Sequence, residues 1–242
     1  MVTYHGNSHD NAHMPANSIF VSRNHALRHG CDSYVHNGLD WNDYGPINLN
    51  RQRRGFHFLG KAAWRVKNVS GAIDVTKSIP GGTLEVLGGN RFNFKMGWRL
   101  TFSPRFHFHG MVGNEEKVNV ITQSHGLLFP VKWNEPFGLA VTESLYLGTP
   151  VFATPYGSLP ELVTDEVGYL TNNCTDMAAH ITEHSGAYSP SICHEYAADL
   201  FSSAAMARNY LKKYETVLSG QVLVPQFSPM TESGLQPMPW LS

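Results

Sequence analysis

Glu135 and Glu143 are separated by seven residues, a glycine among them, in the run Phe129-Pro-Val-Lys-Trp-Asn-Glu-Pro-Phe-Gly-Leu-Ala-Val-Thr-Glu143. The apolar run Leu127–Phe129 suits a short buried strand, and a helix is expected to begin near Gly138. The first amides of a helix have no partner within it and carry the positive end of its dipole, so they suit a phosphate. Gly138 has no side chain to block close approach. Glu135 precedes the helix and Glu143 lies about one and a half turns inside it, so both can face one crevice. Two carboxylates beside an anion site make electrostatic sense only as acceptors for sugar hydroxyls. The ligand chemistry implied is phosphate and sugar together.

The elements that must hold these residues alternate. Ser18–Val21 suggests a strand, and Ser22 is placed to cap a helix running through His29 to Gly30. Tyr34–His36 suggests another strand, stopped by Asn37-Gly38. Residues 39–55, with Trp41, Pro46 and the basic run Arg51–Arg54, are expected to form a linker. Phe56–Leu59, Leu84–Leu87, Arg105–His109, Leu127–Phe129 and Val151–Ala153 are predicted strands, each soon followed by glycine or proline. Between them Val69, Ala72, Ile73, Thr76 and Ile79 recur at helical spacing, Asn114 is expected to cap a helix, and 139–147 and 160–163 suggest two more. This alternation predicts an α/β fold with a doubly wound parallel sheet, whose ligands bind at the carboxyl ends of the strands. Residues 176–186 and 191–219 are expected to be helical, the latter with a stripe of Tyr196, Leu200, Ala204, Ala207 and Leu211. Residues 220–242 hold four prolines and no periodicity, which predicts a loosely ordered tail.

Composition limits the function classes. The 242 residues carry 18 Lys and Arg against 19 Asp and Glu, a net charge of −1, so no bulk electrostatic case exists for nucleic acid or an anionic membrane. Cys31, Cys174 and Cys193 make neither a disulfide framework nor a CxxC zinc ribbon. No basic segment followed by an apolar run opens the chain and no span reaches the ~18 apolar residues of a membrane helix, so a cytoplasmic protein is expected. Among the 13 histidines, His5, His9 and His13 fall at helical spacing, but Gly6, Asn7, Asn11 and Pro15 argue against a helix there, and no metal site is expected. His25 and His29 share a helix face and suggest surface residues, while His107 and His109 share a strand face.

Several motifs jointly resemble family 4 retaining glycosyltransferases of the GT-B fold. Glu135-Pro-Phe-Gly-Leu with Glu143 resembles that family's signature, Gly148-Thr-Pro-Val151 its GTPV, and Gly157-Ser-Leu-Pro-Glu161-Leu-Val its G-x-x-PE-x-[IV]. Val35-His-Asn-Gly-Leu-Asp40 resembles the connection between its two domains, and Phe58-Leu-Gly-Lys61 with Lys67 resembles F-x-GR followed by a lysine. The resemblance runs from about residue 3 to 218. It implies that Glu143 binds ribose hydroxyls, that Glu135 binds hydroxyls of the donor sugar, and that the amides of Phe137, Gly138 and Leu139 hold the sugar and diphosphate. It also implies that Lys61 and Lys67, on the loop opened by Gly60, neutralise the departing diphosphate, and that backbone near Met111 and Val112 holds the base. Thr3-Tyr-His5 resembles the family's T-x-H, whose histidine faces the sugar from the other domain.

Two departures stand out. Lys61 replaces the usual arginine and lacks its bidentate fork, and the spacing to Lys67 is one residue long, so Arg65 can compete for the role. His5 is the fifth residue, where the family has a complete acceptor domain before it. The expected organisation is therefore 1–38 as a remnant of that domain, 39–55 as linker, 56–186 as the nucleotide-sugar-binding domain, 187–219 as C-terminal helices and 220–242 as the tail. The expected activity is metal-independent, retaining hexosyl transfer from a UDP-, GDP- or ADP-sugar to a glycan or lipid-linked acceptor in polysaccharide biosynthesis, with no cofactor. The chain alone is expected to transfer poorly and to self-associate through an exposed domain interface, and location at the inner membrane face is compatible with such acceptors. The alternatives are a non-catalytic nucleotide-sugar-binding domain and a sugar-nucleotide epimerase of similar fold.

Overall fold

The computed structural model describes residues 1–7, 14–93, 99–227 and 237–242. A small N-terminal unit comes first. Strands β1 (Val2–Tyr4) and β2 (Ser18–Phe20) pair in parallel and helix α1 (Arg23–Arg28) follows. The Ser22 side chain caps α1 by accepting from the His25 amide at 3.1 Å, as its position predicts. Tyr34 adds a single bridge to Phe20 rather than a strand.

The main unit contains β3 (Phe56–Leu59), α2 (Val69–Ser78), β4 (Leu84–Leu87), a two-stranded hairpin of β5 (Phe92–Asn93) and β6 (Arg99–Leu100), then β7 (Phe106–Gly110) and α3 (Asn114–Thr122). It continues with β8 (Leu127–Phe129), α4 (Leu139–Tyr146), β9 (Val151–Ala153), α5 (Leu159–Leu162), β10 (Gly168–Leu170) and α6 (Cys174–His184). Six strands form one all-parallel sheet in the order β10-β9-β8-β3-β4-β7. Alternate residues of the central strands enter opposite cores. Leu127, Phe129, Val151 and Ala153 join Val141, Leu145 and Ala197 on one face. Leu128 and Phe152 join Ala72, Val75, Met177 and Ile181 on the other. Both faces are therefore covered, by α2 and α6 on one side and α4 on the other, which is the doubly wound arrangement expected from the sequence. The chain runs outward from β3 to β4 and β7, then returns to β8 on the opposite side of β3. The carboxyl ends of β3 and β8 thus flank the topological switch point.

Several local expectations are corrected. The helical stretch expected over 191–219 divides into α7 (Pro190–Leu200) and α8 (Ser203–Leu218), so the expected stripe does not run through it unbroken. Leu39 lies across the break, donating its amide to Phe201 at 2.9 Å and accepting from the Ser203 amide at 2.8 Å. The break resets the helical phase. Phe201 enters the core, whereas Leu200 and Leu211 of the expected stripe are 51% and 58% exposed. Asn114 is the first residue of α3 rather than its cap, which is Gly113. Inside the stretch expected as linker, Trp41–Tyr44 form a 3-10 turn, Tyr44 is buried, and Trp41 stacks on Tyr146 with ring centroids 3.9 Å apart.

His25 and His29 are not surface residues. Both are fully buried and pack on the Phe20 ring, at 5.0 Å and 4.8 Å between centroids. Burial, with the Arg28 charge beside them, lowers His25 to about 3 and His29 to about 4. Alternation cannot reveal this, because α1 buries the face that β2 covers and histidine reads as polar. His107 and His109 bind the Glu85 carboxylate at 2.8 Å and 2.7 Å, and His109 also meets Glu116 at 2.9 Å. His9 and His13 lie outside the described residues. The described parts of the expected loose tail are seated: Val224 is buried and its amide donates to Ala16 at 2.7 Å, and Met238 donates to Lys132 at 2.7 Å.

Candidate functional site

A cleft of about 500 Å³ opens at the switch point. Leu59 at the end of β3 with Gly60, Phe129 at the end of β8 with Trp133 beyond it, residues 135–140 around the N-terminus of α4, and Glu143 form most of its lining. His5, Gly6 and Asn37 of the N-terminal segment contribute to the lining as well. Of the residues singled out in the sequence, Glu135, Glu143, Lys67, His5, Phe137, Gly138, Leu139 and Gly60 meet here.

Glu135 is held by backbone geometry and by two donors. Gly157 (φ +63°) backs onto it so closely that a Cβ there would sit 2.3 Å from the Glu135 main-chain N and O, so only glycine fits. The Ser158 amide donates to the Glu135 carbonyl at 2.9 Å, and the Ser158 hydroxyl bonds the Phe137 carbonyl. The motif resembling G-x-x-PE therefore braces the loop that carries Glu135. The carboxylate Oε2 accepts from Lys67 Nζ at 2.7 Å and from Trp133 Nε1 at 2.8 Å. Lys67 also sits over the Trp133 and Phe129 rings, 4.9 Å and 5.2 Å from their centroids. The two side chains are only 14% and 8% exposed, so removing either partner leaves a largely buried charge without its counter-charge.

Lys67 reaches the cleft because its loop is tightly turned. Arg65–Lys67 form a 3-10 turn, and Asn68 (φ +54°) caps α2, accepting from the Gly71 amide at 3.1 Å. The Asn68 side chain also donates to the Pro130 carbonyl at 2.8 Å, tying this loop to the one that carries Glu135.

Glu143 has its own pair of donors. Its Oε1 accepts from the Tyr44 hydroxyl and from Lys117 Nζ. Lys117 lies 5.1 Å from the centroid of the Tyr44 ring. Burial, then the bond to Glu143, raises the Tyr44 phenol well above the ordinary tyrosine range, so it acts as a donor. Each carboxylate of the cleft is thus matched with one lysine. Gly138 (φ +106°) starts α4 in a conformation that suits glycine, and no side chain caps this helix. Val141 donates to the Gly138 carbonyl at 2.9 Å, and the Leu139 and Ala140 amides before it have no acceptor within the helix.

Four expected site residues lie elsewhere. Lys61 is exposed and packs its ammonium over the Trp64 ring at 4.9 Å. Arg65 is exposed and does not line the cleft. Met111 is 90% exposed, and Val112 packs beside Tyr44 and Ile121. Sequence reading missed Tyr44, Lys117, Asn37 and Trp64. Tyr44 sits in a stretch with no periodicity, and Lys117 resembles any other charge on the first turns of a helix. Glu161, in the PE motif, takes no part in the cleft. Its two oxygens accept from the amides of Arg23 and Asn24 at 2.9 Å and 2.5 Å, and His36 lies 3.2 Å away, so it caps α1 from across the chain. Among the described residues, no cluster of three His, Cys, Asp or Glu is placed to hold a metal, and no helix is long and apolar enough to cross a membrane.

The family model described as "Glycosyl transferases group 1" matches residues 45–184, more than half of the chain and the part that holds both carboxylate–lysine pairs. This chain belongs to the group 1 glycosyltransferases. An uncharacterised 41.2 kDa protein in the cps region of Klebsiella pneumoniae is 30% identical over 116 residues, 45% of this chain and 32% of that protein. The match therefore spans about a third of that relative's length. AviGT4, a glycosyltransferase involved in avilamycin A biosynthesis, superposes with a TM-score of 0.72 at 20% identity, covering 91% of this chain and 68% of AviGT4. Anabaena HepE in complex with UDP and glucose superposes with a TM-score of 0.66 at 18% identity, covering 86% of this chain and 64% of HepE. At these identities the likeness concerns the fold, which is the Rossmann-like α/β architecture of GT-B glycosyltransferases. The switch-point cleft of this group 1 glycosyltransferase is where that architecture binds ligands.

Proposed function

We propose that this group 1 glycosyltransferase binds a nucleotide diphosphate sugar in the switch-point cleft and transfers its hexose with retention to a glycan or lipid-linked acceptor. The observation that carries the reading is the pair of lysine-matched carboxylates, Lys67–Glu135 and Lys117–Glu143, set on either side of the uncapped N-terminus of α4. Support for the donor class comes from HepE, which was solved with UDP and glucose. Support for polysaccharide assembly comes from the cps-region relative.

In this reading Glu143 accepts from ribose hydroxyls and Glu135 from hydroxyls of the hexose. The diphosphate lies against the amides at Gly138 and Leu139. As the anomeric C–O bond breaks, negative charge grows on the departing diphosphate oxygen, and helix amides fixed in advance stabilise it without reorganisation. Lys67 shifts part of its interaction from Glu135 to that oxygen, which frees Glu135 to accept from the sugar. No metal is needed for this division of labour. His5 closes the cleft from the N-terminal segment. Donor binding is assigned to residues 56–186, and residues 1–38 are read as part of an acceptor domain.

A thermal-shift screen of UDP-, GDP- and ADP-sugars, followed by mass spectrometry of reaction mixtures with sugar acceptors, tests the proposal. Stabilisation by one nucleotide sugar and an α-configured product from an α-linked donor are expected. Absence of any stabilisation overturns the donor site, and inversion at the anomeric carbon overturns retention.

A further inference from the structure

Residues 237–242 lie across the carboxyl end of the sheet, next to the cleft. Leu241 donates to the Asn172 carbonyl at 2.8 Å after β10, and its own carbonyl accepts from the Cys174 amide, the first of α6, at 2.7 Å. The Pro239 carbonyl accepts from the Tyr156 hydroxyl at 2.6 Å after β9, and Asn172 donates to that same hydroxyl at 3.0 Å. Met238 donates to the Lys132 carbonyl at 2.7 Å after β8. Trp240 packs with the core that α2 covers, at the start of that helix after β3. A Cβ on Gly71 would sit 3.0 Å from its indole nitrogen. In the sheet order β10-β9-β8-β3, one short segment thus touches the loop or helix end beyond four successive strands.

The contact at Lys132 reaches the site. The Lys132 amide donates to the Val66 carbonyl at 2.7 Å while its carbonyl accepts from Met238, so three chain segments meet at one residue. Val66 precedes Lys67, and Lys132 precedes Trp133, whose indole holds Glu135. The segment therefore closes, from outside, the two loops whose tips form the Lys67–Glu135 pair. Glu143, Tyr44 and Lys117 lie on elements that it does not touch.

We propose that residues 237–242 are a positioning strap that fixes the Lys67–Glu135 pair for the sugar and the phosphate that carries it, and leaves the nucleoside end at Glu143 unaffected. The proposal rests on the donor-binding reading above. The strap acts through backbone bonds to the two loops, and Trp240 and Tyr156 anchor it. None of its residues contacts the substrate.

The test uses the full chain with Met238→Pro, which deletes the amide that bonds Lys132, and with Trp240→Ala and Trp240→Phe. Hydrogen exchange needs no ligand. Exchange at residues 64–68 and 130–136 is expected to speed up about tenfold or more in Met238→Pro and Trp240→Ala, with 139–146 unchanged and Trp240→Phe close to the native chain. Calorimetry then compares UDP-glucose, GDP-mannose and ADP-glucose with UMP, GMP and AMP, which lack the phosphate that Lys67 meets. The best-bound sugar nucleotide is expected to lose about fivefold or more in affinity while its nucleoside monophosphate stays within about twofold. Unchanged exchange in the two loops overturns the strap, and so does an equal loss for nucleoside monophosphate and sugar nucleotide. If the native chain binds no sugar nucleotide, the donor reading fails, and the exchange result alone decides whether the strap holds the pair.

Discussion

Glu143 meets Tyr44 and Lys117 through one oxygen, and it lines the cleft from the second turn of α4. It is thus oriented before any ligand arrives, which lowers the ordering cost of binding. Glu143→Ala is expected to weaken the free nucleoside diphosphate by about 1.5–3 kcal/mol, the range for charged hydrogen bonds. Calorimetry with the diphosphate alone checks this, and unchanged affinity removes Glu143 from the ribose site. Glu135 has a different environment, against Trp133 and Lys67 at the entrance of the helix. Glu135→Ala is expected to cost the nucleotide sugar more than the nucleotide, again by roughly 1.5–3 kcal/mol. Equal losses for the two ligands contradict its place at the sugar. Because Glu135→Ala also leaves Lys67 unpaired, Glu135→Gln serves as the companion variant, keeping the shape and an acceptor while removing the charge.

At the scale of elements, one short helix depends on a residue far away in sequence. α1 has six residues, too few to be stable alone, and its first amides are satisfied by the Glu161 carboxylate from α5 as well as by Ser22. The negative charge also complements the helix dipole. Glu161→Ala is expected to cost about 1–2 kcal/mol, a fall of roughly 3–6 °C in melting temperature for a chain of this size. Scanning calorimetry measures it. A fall of the same size for Ser22→Ala, with donor affinity unchanged in both variants, places Glu161 with the cap rather than the ligand. α3 is tied in the same way from two sides. Glu116 meets His109 on β7, and the next residue, Lys117, meets Glu143. A charged turn that looks like a solvated surface is in fact the link between a sheet edge and the candidate ribose site.

For the molecule as a whole, buried histidines set the acid limit. His25, His29 and His57 are fully buried, and burial, with Arg28 or Arg53 nearby, holds them at about 3, 4 and 3. In the unfolded chain each titrates near 6.5, so below that pH the unfolded state binds more protons than the folded one. Their contribution is complete above pH 6.5 and is lost as pH falls toward 4 and 3, at up to about 1.4 kcal/mol per pH unit for each group. The urea midpoint is therefore expected to drop steeply between pH 6.5 and 5, and His25→Phe should flatten that drop. A midpoint that is level over this range contradicts the burial of these side chains.

Periodicity and turn chemistry alone placed the strands at Phe56, Leu84, Leu127 and Val151, because each is a short run rich in apolar residues that stops at glycine or proline. They also placed Glu135, Gly138 and Glu143 together, since these are adjacent on one loop and helix and local geometry brings them to the same crevice. Lys67 was legible through its motif. The partners of those residues were not. Tyr44 and Glu143 are 99 residues apart, Lys117 and Glu143 26, and Lys67 and Glu135 68. Such pairs exist only once parallel crossovers stack β3, β8 and α3, and no local pattern marks them. The same holds for His25 and His29, whose burial depends on Phe20 of a neighbouring strand, and for the helix break at Phe201, which Leu39 fills from across the chain. Sequence determines what local sterics and the hydrophobic period can enforce, whereas charge pairing and the burial of polar rings are decided by which distant surfaces the tertiary fold brings into contact.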